Sequence, residues 1–182
     1  NRTMNLDTAS NTASKPTSTR AHKGRLVLVP APLDFGCATQ APITDVMGHG
    51  VLQTASQITH WVCENAKTAR AVLKRVGEVC PLAVPLQAQH ISELNRAAHK
   101  QGDHDSAGDA GRQTEAAARA WLAPALQGHD VGLLSEAGMP AIADPGSAVV
   151  RAAHGMGIEV LALPGPVSLL LALAASGLNG QK

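Results

Sequence analysis

Tyrosine is absent from this 182-residue chain, and the only other aromatics are Phe35, Trp61 and Trp121. That scarcity argues against nucleic-acid modules that stack several bases on exposed rings. Neither charge sign is in excess, the formal net charge being +1. Residues 1–25 hold five basic residues against Asp7 alone, which leaves ten basic and thirteen acidic residues from 26 onward. The body of the chain therefore lacks the field that grips phosphates in bulk. Cys37, Cys63 and Cys80 show no CxxC or Cys/His ligand spacing and read as reduced, partly buried thiols. No apolar run reaches membrane length, because Pro164-Gly165-Pro166 divides Val160–Leu178 into a strand, a turn and a helix. Residues 1–24 are polar, Ser/Thr-rich and without the apolar core of a signal peptide, and read as a disordered leader. The expectation is a soluble, cytoplasmic protein with no membrane contact.

What is present is 45% hydrophobic residues, with 17 Gly and 11 Pro to punctuate them. This suits one α/β domain over residues 25–178 with many short turns. Arg25–Pro30 is a continuous apolar run ended by proline, as in a strand buried on both faces. Further strands are expected at Gln57–Cys63, Pro81–Leu86, Asp130–Ser135 and Ile158–Leu163. Helices are expected at Ala66–Val76, capped by Asn65, and at Thr114–Leu126, with Ala118, Trp121, Leu122 and Ala125 on one stripe. A helix over Pro145–His154 would have Asp144 as its cap and proline at its first position. The almost wholly apolar Pro166–Ser176 would be covered on both faces. This alternation predicts a mostly parallel five-stranded sheet flanked by helices. The Gly-, Asp- and His-rich segment His99–Arg112 reads as a mobile loop.

In an open parallel sheet, ligands sit beyond the carboxyl ends of the strands. Two of those ends are rich in glycine and proline: Ser135-Glu-Ala-Gly-Met-Pro-Ala-Ile-Ala-Asp-Pro-Gly146, and Leu163-Pro-Gly-Pro-Val-Ser168. Asp144-Pro145 and Pro164–Pro166 are explained as a cap and a turn. Gly138-Met139-Pro140 precedes the cap by several residues, and a cap does not account for it. Such rigid backbone is what a ligand can approach closely.

The stretch SEAGMPAIADPGSAVVRAAHGMGIEVLALPGPVSLLLALAASGL, residues 135–178, resembles the tetrapyrrole methylase superfamily of S-adenosylmethionine-dependent methyltransferases. Within it, the likeness is to the branch of ribosomal RNA small-subunit (cytidine-2′-O)-methyltransferases, with its Ser-Asp-Ala-Gly-Thr-Pro-x-Ile-Ser-Asp-Pro-Gly loop and Leu-Pro-Gly-Pro strand end. The resemblance implies an amino-terminal domain, with residues 179–182 starting a link to a second domain. It implies S-adenosylmethionine as cofactor in the cleft between domains, and a homodimer. Carried over by position, the donor contacts are Pro30, Ala31, Pro32, Ala137, Gly138, Met139, Pro140, Ile142 and Ser168. Ribosomal RNA is the favoured acceptor over a tetrapyrrole.

The chain departs from that branch in two loops. Pro-Ile-Gly-Asn becomes Pro32-Leu-Asp-Phe35, and Glu-Asp-Thr-Arg becomes Glu64-Asn-Ala-Lys67, which replaces a bidentate arginine by a point charge. A catalytically lapsed domain that binds donor or partner without turnover is therefore a second reading. Glu64 and Asp34 are candidate bases, or else solvated carboxylates near helix starts. Lys67, Arg70 and Lys74 share one helix side, for phosphate contact or as a solvated face. His99, Asp103, His104, Asp105 and Asp109 match no metal-binding pattern, so no metal site is expected. His60, beside Trp61, reads as packed. Ser135, Asp144 and His154 lack a G-x-S-x-G elbow and do not make a hydrolase.

Overall fold

The first strand, β1 (Leu26–Val29), has all four residues buried, and its side chains alternate between two separate cores. Val27 and Val29 face one core, Leu26 and Leu28 the other, as the two-residue period of a strand dictates. The computed structural model describes residues 22–94, 109–142 and 146–178. Residues 1–21 of the expected leader, the segment 95–108 and the expected link 179–182 lie outside the described residues. The described fold begins before Arg25: Gly24 is buried and its N–H donates to the Ala125 carbonyl at 2.8 Å.

After β1 come α1 (His49–Gln57), β2 (His60–Cys63), α2 (Ala66–Val79), β3 (His90–Glu93) and α3 (Asp109–Trp121). The short α4 (Ala123–Leu126), β4 (Val131–Leu134), α5 (Ser147–Gly155), β5 (Val160–Ala162) and α6 (Ser168–Ser176) complete the order. The five strands form a sheet in the order β3-β2-β4-β1-β5, with every pairing parallel. The chain winds one way from β1 to β3, and α1 and α2 cover the face of Val27, Val29 and Trp61. It then winds back, so α3, α4 and α5 cover the opposite face, around Leu26, Val62 and Leu133. Constant crossover handedness forces this change of face when the winding direction reverses.

Several expected elements move. Pro81–Leu86 is not a strand: Pro81 and Pro85 carry no N–H for a ladder, and Pro85 instead caps a 3-10 turn, Leu86–Ala88. The edge strand beside β2 is β3, whose single large apolar residue, Ile91, gives almost no periodic signal. The strand expected at Gln57–Cys63 begins only at His60, because Gln57 ends α1. Helix α1 forms where the sequence pattern predicts none, although Val51, Leu52, Ala55 and Ser56 are buried at helical spacing. Its cap is Gly48 with no side-chain hydrogen bond, so no start signal marks it.

The helix expected over Thr114–Leu126 begins at Asp109, so Asp109–Arg112 of the expected loop are helical, and it is two helices, since Pro124 cannot donate into the preceding turn. Ala118, Leu122 and Ala125 nevertheless share the expected buried stripe. Helix α5 starts at Ser147, and Asp144 and Pro145 lie outside the described residues. Helix α6 starts at Ser168, two residues after Pro166, and the described residues do not supply its expected covering. None of its residues is buried, and Leu169, Leu170 and Leu171 are more than half exposed. No helix among the described residues is long and apolar enough to cross a membrane.

Candidate functional site

The chain leaves β1 toward the face of α1 and leaves the adjacent β4 toward the face of α5. A crevice opens where neighbouring connections part in this way, beyond the carboxyl ends of the strands. Ala31 and Gly138 meet in it: Ala31 N–H donates to the Gly138 carbonyl at 2.8 Å and Gly138 N–H to the Ala31 carbonyl at 2.9 Å. The pairing is antiparallel although β1 and β4 run parallel, so the loop after β4 has already doubled back. Ser135 enforces that reversal, its buried hydroxyl lying 3.1 Å from the Ala137 and Gly138 carbonyls, to which it donates.

The loop after β5 closes on the same place. A Cβ on Gly165 would lie 2.3 Å from Pro30 Cγ, so only glycine permits this approach. Gly138 has φ +72°, and a Cβ there would stand 3.2 Å from Leu33 Cδ2 and 3.3 Å from the Pro166 carbonyl oxygen. Three loops thus converge into one shelf of small residues. Ala141 in the same loop also has a positive φ of 64°, a conformation costing a non-glycine residue about 1–2 kcal/mol.

Of the sequence-derived donor residues, Pro30, Ala31, Pro32, Gly138 and Pro140 are buried at this convergence or beside it. Ala137 and Ile142 are exposed. Met139 turns its side chain into the core beneath α3 and α5. Ser168 is the exposed first residue of α6. The turn that carries Gly165 is one of the two loops expected to face a ligand, whereas Ser135 is a site residue that sequence reasoning misses. The Leu-Pro-Gly-Pro spacing was the available signal for Gly165; for Ser135 it was a small hydroxyl at a strand end. The shelf residues carry no cationic side chain, and two carboxylates stand beside it. Glu136 precedes Ala137, and its N–H donates to Glu64 Oε1 at 3.4 Å from the end of β2. Uncharged backbone flanked by acids suits a sulfonium-bearing nucleoside.

Asp34 stands apart from this. Arg75 on α2 forks onto both its carboxylate oxygens at 2.9 and 3.0 Å and also donates to the Ala41 carbonyl at 2.8 Å. These hydrogen bonds hold the Asp34 carboxyl below the ordinary range against the opposing effect of burial. A carboxylate so committed is a loop anchor and a poor base. Asn65 caps α2 as expected, its Oδ1 accepting from the N–H groups of Lys67 and Thr68, while Glu93 accepts from Ala66 N–H. Lys67, Arg70 and Lys74 all lie on the exposed side of α2.

Away from the shelf, His60 stacks on His90 at 4.7 Å and lies 5.3 Å from His129. Burial, then the charges of those two neighbours, pushes the His60 ring below its ordinary value. Burial, with Glu93 adding to it, pushes the Cys63 thiol up to about 11. Among the described residues no cluster of three or more His, Cys, Asp or Glu is placed to hold a metal. His99, Asp103, His104 and Asp105 lie outside the described residues, as does the side chain of Asp109.

Residues 46–182 match the family of Tetrapyrrole (Corrin/Porphyrin) Methylases. Among curated proteins, the chain is similar to "Ribosomal RNA small subunit methyltransferase I" from several bacteria. The Mesorhizobium japonicum protein is 34% identical over 128 residues, 70% of this chain and 35% of that protein. The Xylella fastidiosa protein is 49% identical over 57 residues, 31% of this chain and 21% of that protein. The Pseudomonas aeruginosa protein is 51% identical over 55 residues, 30% of this chain and 20% of that protein. The chain thus matches about a fifth to a third of the length of these relatives. β1 and the Pro30–Pro32 loop precede the span matched by the family.

Proposed function

Because the chain belongs to the tetrapyrrole (corrin/porphyrin) methylase family, we propose that it is the donor-binding domain of an S-adenosylmethionine-dependent methyltransferase acting on ribosomal RNA. The acceptor atom is a ribose 2′-oxygen, and the protein works in the cytoplasm as a homodimer. The domain is residues 25–178, with a leader before it and an interdomain link starting at 179. The observation that carries the reading is the Ala31–Gly138 bridge, which draws two loops together at the switch point of the sheet.

Pro30, Ala31, Pro32, Ala137, Gly138, Met139, Pro140, Ile142 and Ser168 hold the donor, mainly through main-chain and apolar contact. The bound donor supplies an electrophilic methyl on a sulfonium. The chain's own part is to align the acceptor and exclude water, effects worth on the order of 7–11 kcal/mol in intramolecular comparisons. Glu64, at the end of β2 and one hydrogen bond from the shelf loop, is the candidate to draw a proton from the acceptor hydroxyl.

Similarity to ribosomal RNA small subunit methyltransferases supports RNA over a tetrapyrrole as acceptor. Calorimetric titration with S-adenosylmethionine and S-adenosylhomocysteine tests the shelf, and radiolabel transfer to ribosomal RNA against tetrapyrrole precursors tests the acceptor. Saturable donor binding with label in RNA is the expected result. Failure to bind either nucleoside overturns the reading. The engagement of Asp34 by Arg75 favours a second reading, donor binding without transfer, which donor saturation with no labelled acceptor would establish.

A further inference from the structure

Beside the shelf, the loop after β1 and the outer side of α2 enclose a cleft of about 610 Å³. Pro32 and Glu136 line it and belong to the shelf loops, so cleft and shelf adjoin. Its far wall is α2, through Thr68, Ala71, Lys74 and Glu78. The near wall is held in place by one side chain, since Arg75 binds both Asp34 and the Ala41 carbonyl and so pins two points of the loop. Next to Asp34 stands Phe35, the chain's only phenylalanine, which lines the cleft and is 53% exposed. The fold makes little use of that ring for packing. It is an apolar plane on a clamped loop, facing open space beside the shelf.

We propose that Phe35 is the stacking platform for one nucleoside of a single-stranded RNA acceptor, held in this cleft next to the methyl donor. This rests on the RNA methyltransferase reading above. Three aromatics are too few for a module that stacks several bases, but one suffices to seat the single nucleotide that a methyltransferase modifies. The charges select the same occupant. Besides the mutually engaged Asp34 and Arg75, the ionic groups lining the walls are Lys74, Glu78 and Glu136. Carboxylates accept hydrogen bonds from exocyclic base amines and repel anions, so an uncharged base rather than a phosphate enters the cleft. Lys74 offers a single phosphate contact. Binding therefore depends on stacking and has a shallow salt dependence, unlike a surface that neutralises many phosphates.

The test uses the 182-residue chain and a short single-stranded RNA with a central 2-aminopurine, whose fluorescence falls when the base stacks. The expected result is saturable quenching, with affinity reduced on the order of 5- to 150-fold in Phe35→Ala. Phe35→Trp restores both signals, whereas Phe35→Leu, apolar but without a π face, does not. Melting curves of all three variants match the parent because the ring is exposed. Absence of quenching in the parent chain, or undiminished quenching in Phe35→Ala, overturns the proposal. Titration with S-adenosylhomocysteine separates the two ideas. Donor binding without quenching removes the cleft assignment alone, while Phe35-dependent quenching without donor binding supports the cleft and removes the transferase reading.

Discussion

Ala31 and Gly138 exchange both of their main-chain hydrogen bonds, at 2.8 and 2.9 Å, across loops that leave neighbouring parallel strands for opposite faces of the sheet. This reciprocal pair holds the crevice at a fixed width. Its geometry depends on Gly138 at φ +72° and on Gly165 lying flat against Pro30.

Gly138→Ala keeps the chain in a left-handed conformation with a side chain present, and destabilises the fold by about 1–2 kcal/mol. Gly165→Ala meets a proline ring that has no other rotamer to adopt, and costs about 1–3 kcal/mol with displacement of the β1 loop. Urea unfolding measures both. On the proposed function, each variant also weakens S-adenosylhomocysteine binding by more than its stability loss accounts for, because the loops that meet are the proposed binding surface.

Arg75→Ala frees the loop after β1. Both partners are mostly shielded, with 16% and 22% of their side-chain surface exposed, so losing these charge-assisted bonds costs about 1.5–3 kcal/mol. Arg75→Lys recovers only part, since an ammonium cannot span two carboxylate oxygens and a carbonyl. The Asp34 carboxyl is held below its ordinary 3.8 when folded, so the unfolded chain binds the extra proton. The ion pair's contribution is present above that value and is lost as pH falls through the lower folded one. Arg75→Ala removes this part of the acid sensitivity.

The stacked His60–His90 pair, with His129 tilted beside it, makes stability pH-dependent in a higher range. His60 is held below its ordinary 6.5 by burial and by His90 and His129, so protons favour the unfolded chain. Stability is full above 6.5 and declines as pH falls toward the folded value. His60→Gln flattens this part of the profile, measured by urea unfolding on either side of the ordinary value.

In the core, Gly132→Ala would place a Cβ 2.4 Å from the Trp61 ring, which is 1% exposed and fixed by its indole N–H bond to Gln89. Overpacking of this kind costs about 1–3 kcal/mol. Combining it with Trp61→Leu, which vacates the space, gives less than the sum of the two single losses, read as a double-mutant cycle in chemical denaturation.

Alkylation at mildly basic pH labels the exposed Cys37 and spares the buried Cys63, whose thiol ionises only near 11. Mass spectrometry of the digest reads the difference, and rapid labelling of Cys63 would show that β2 opens.

Composition and local pattern determine much of this protein by themselves. The continuous apolar run of β1 marked a strand buried on both faces, and Asn65 marked the start of α2. The glycine–proline loops placed the candidate site at the carboxyl end of the sheet. These are signals written in adjacent residues, through side-chain alternation, capping and backbone freedom. Tertiary structure alone decided that β3, with one large apolar residue, is an edge strand of the sheet and that Pro81–Leu86 is not. It also decided that Arg75 claims Asp34 across 41 positions, leaving Glu64 as the carboxylate bonded to the shelf loop. Gly138 and Gly165 lie 27 positions apart in sequence, and nothing local records that both turns close on Pro30 and Ala31. That meeting follows from the strand order, which sets β4 and β5 on either side of β1.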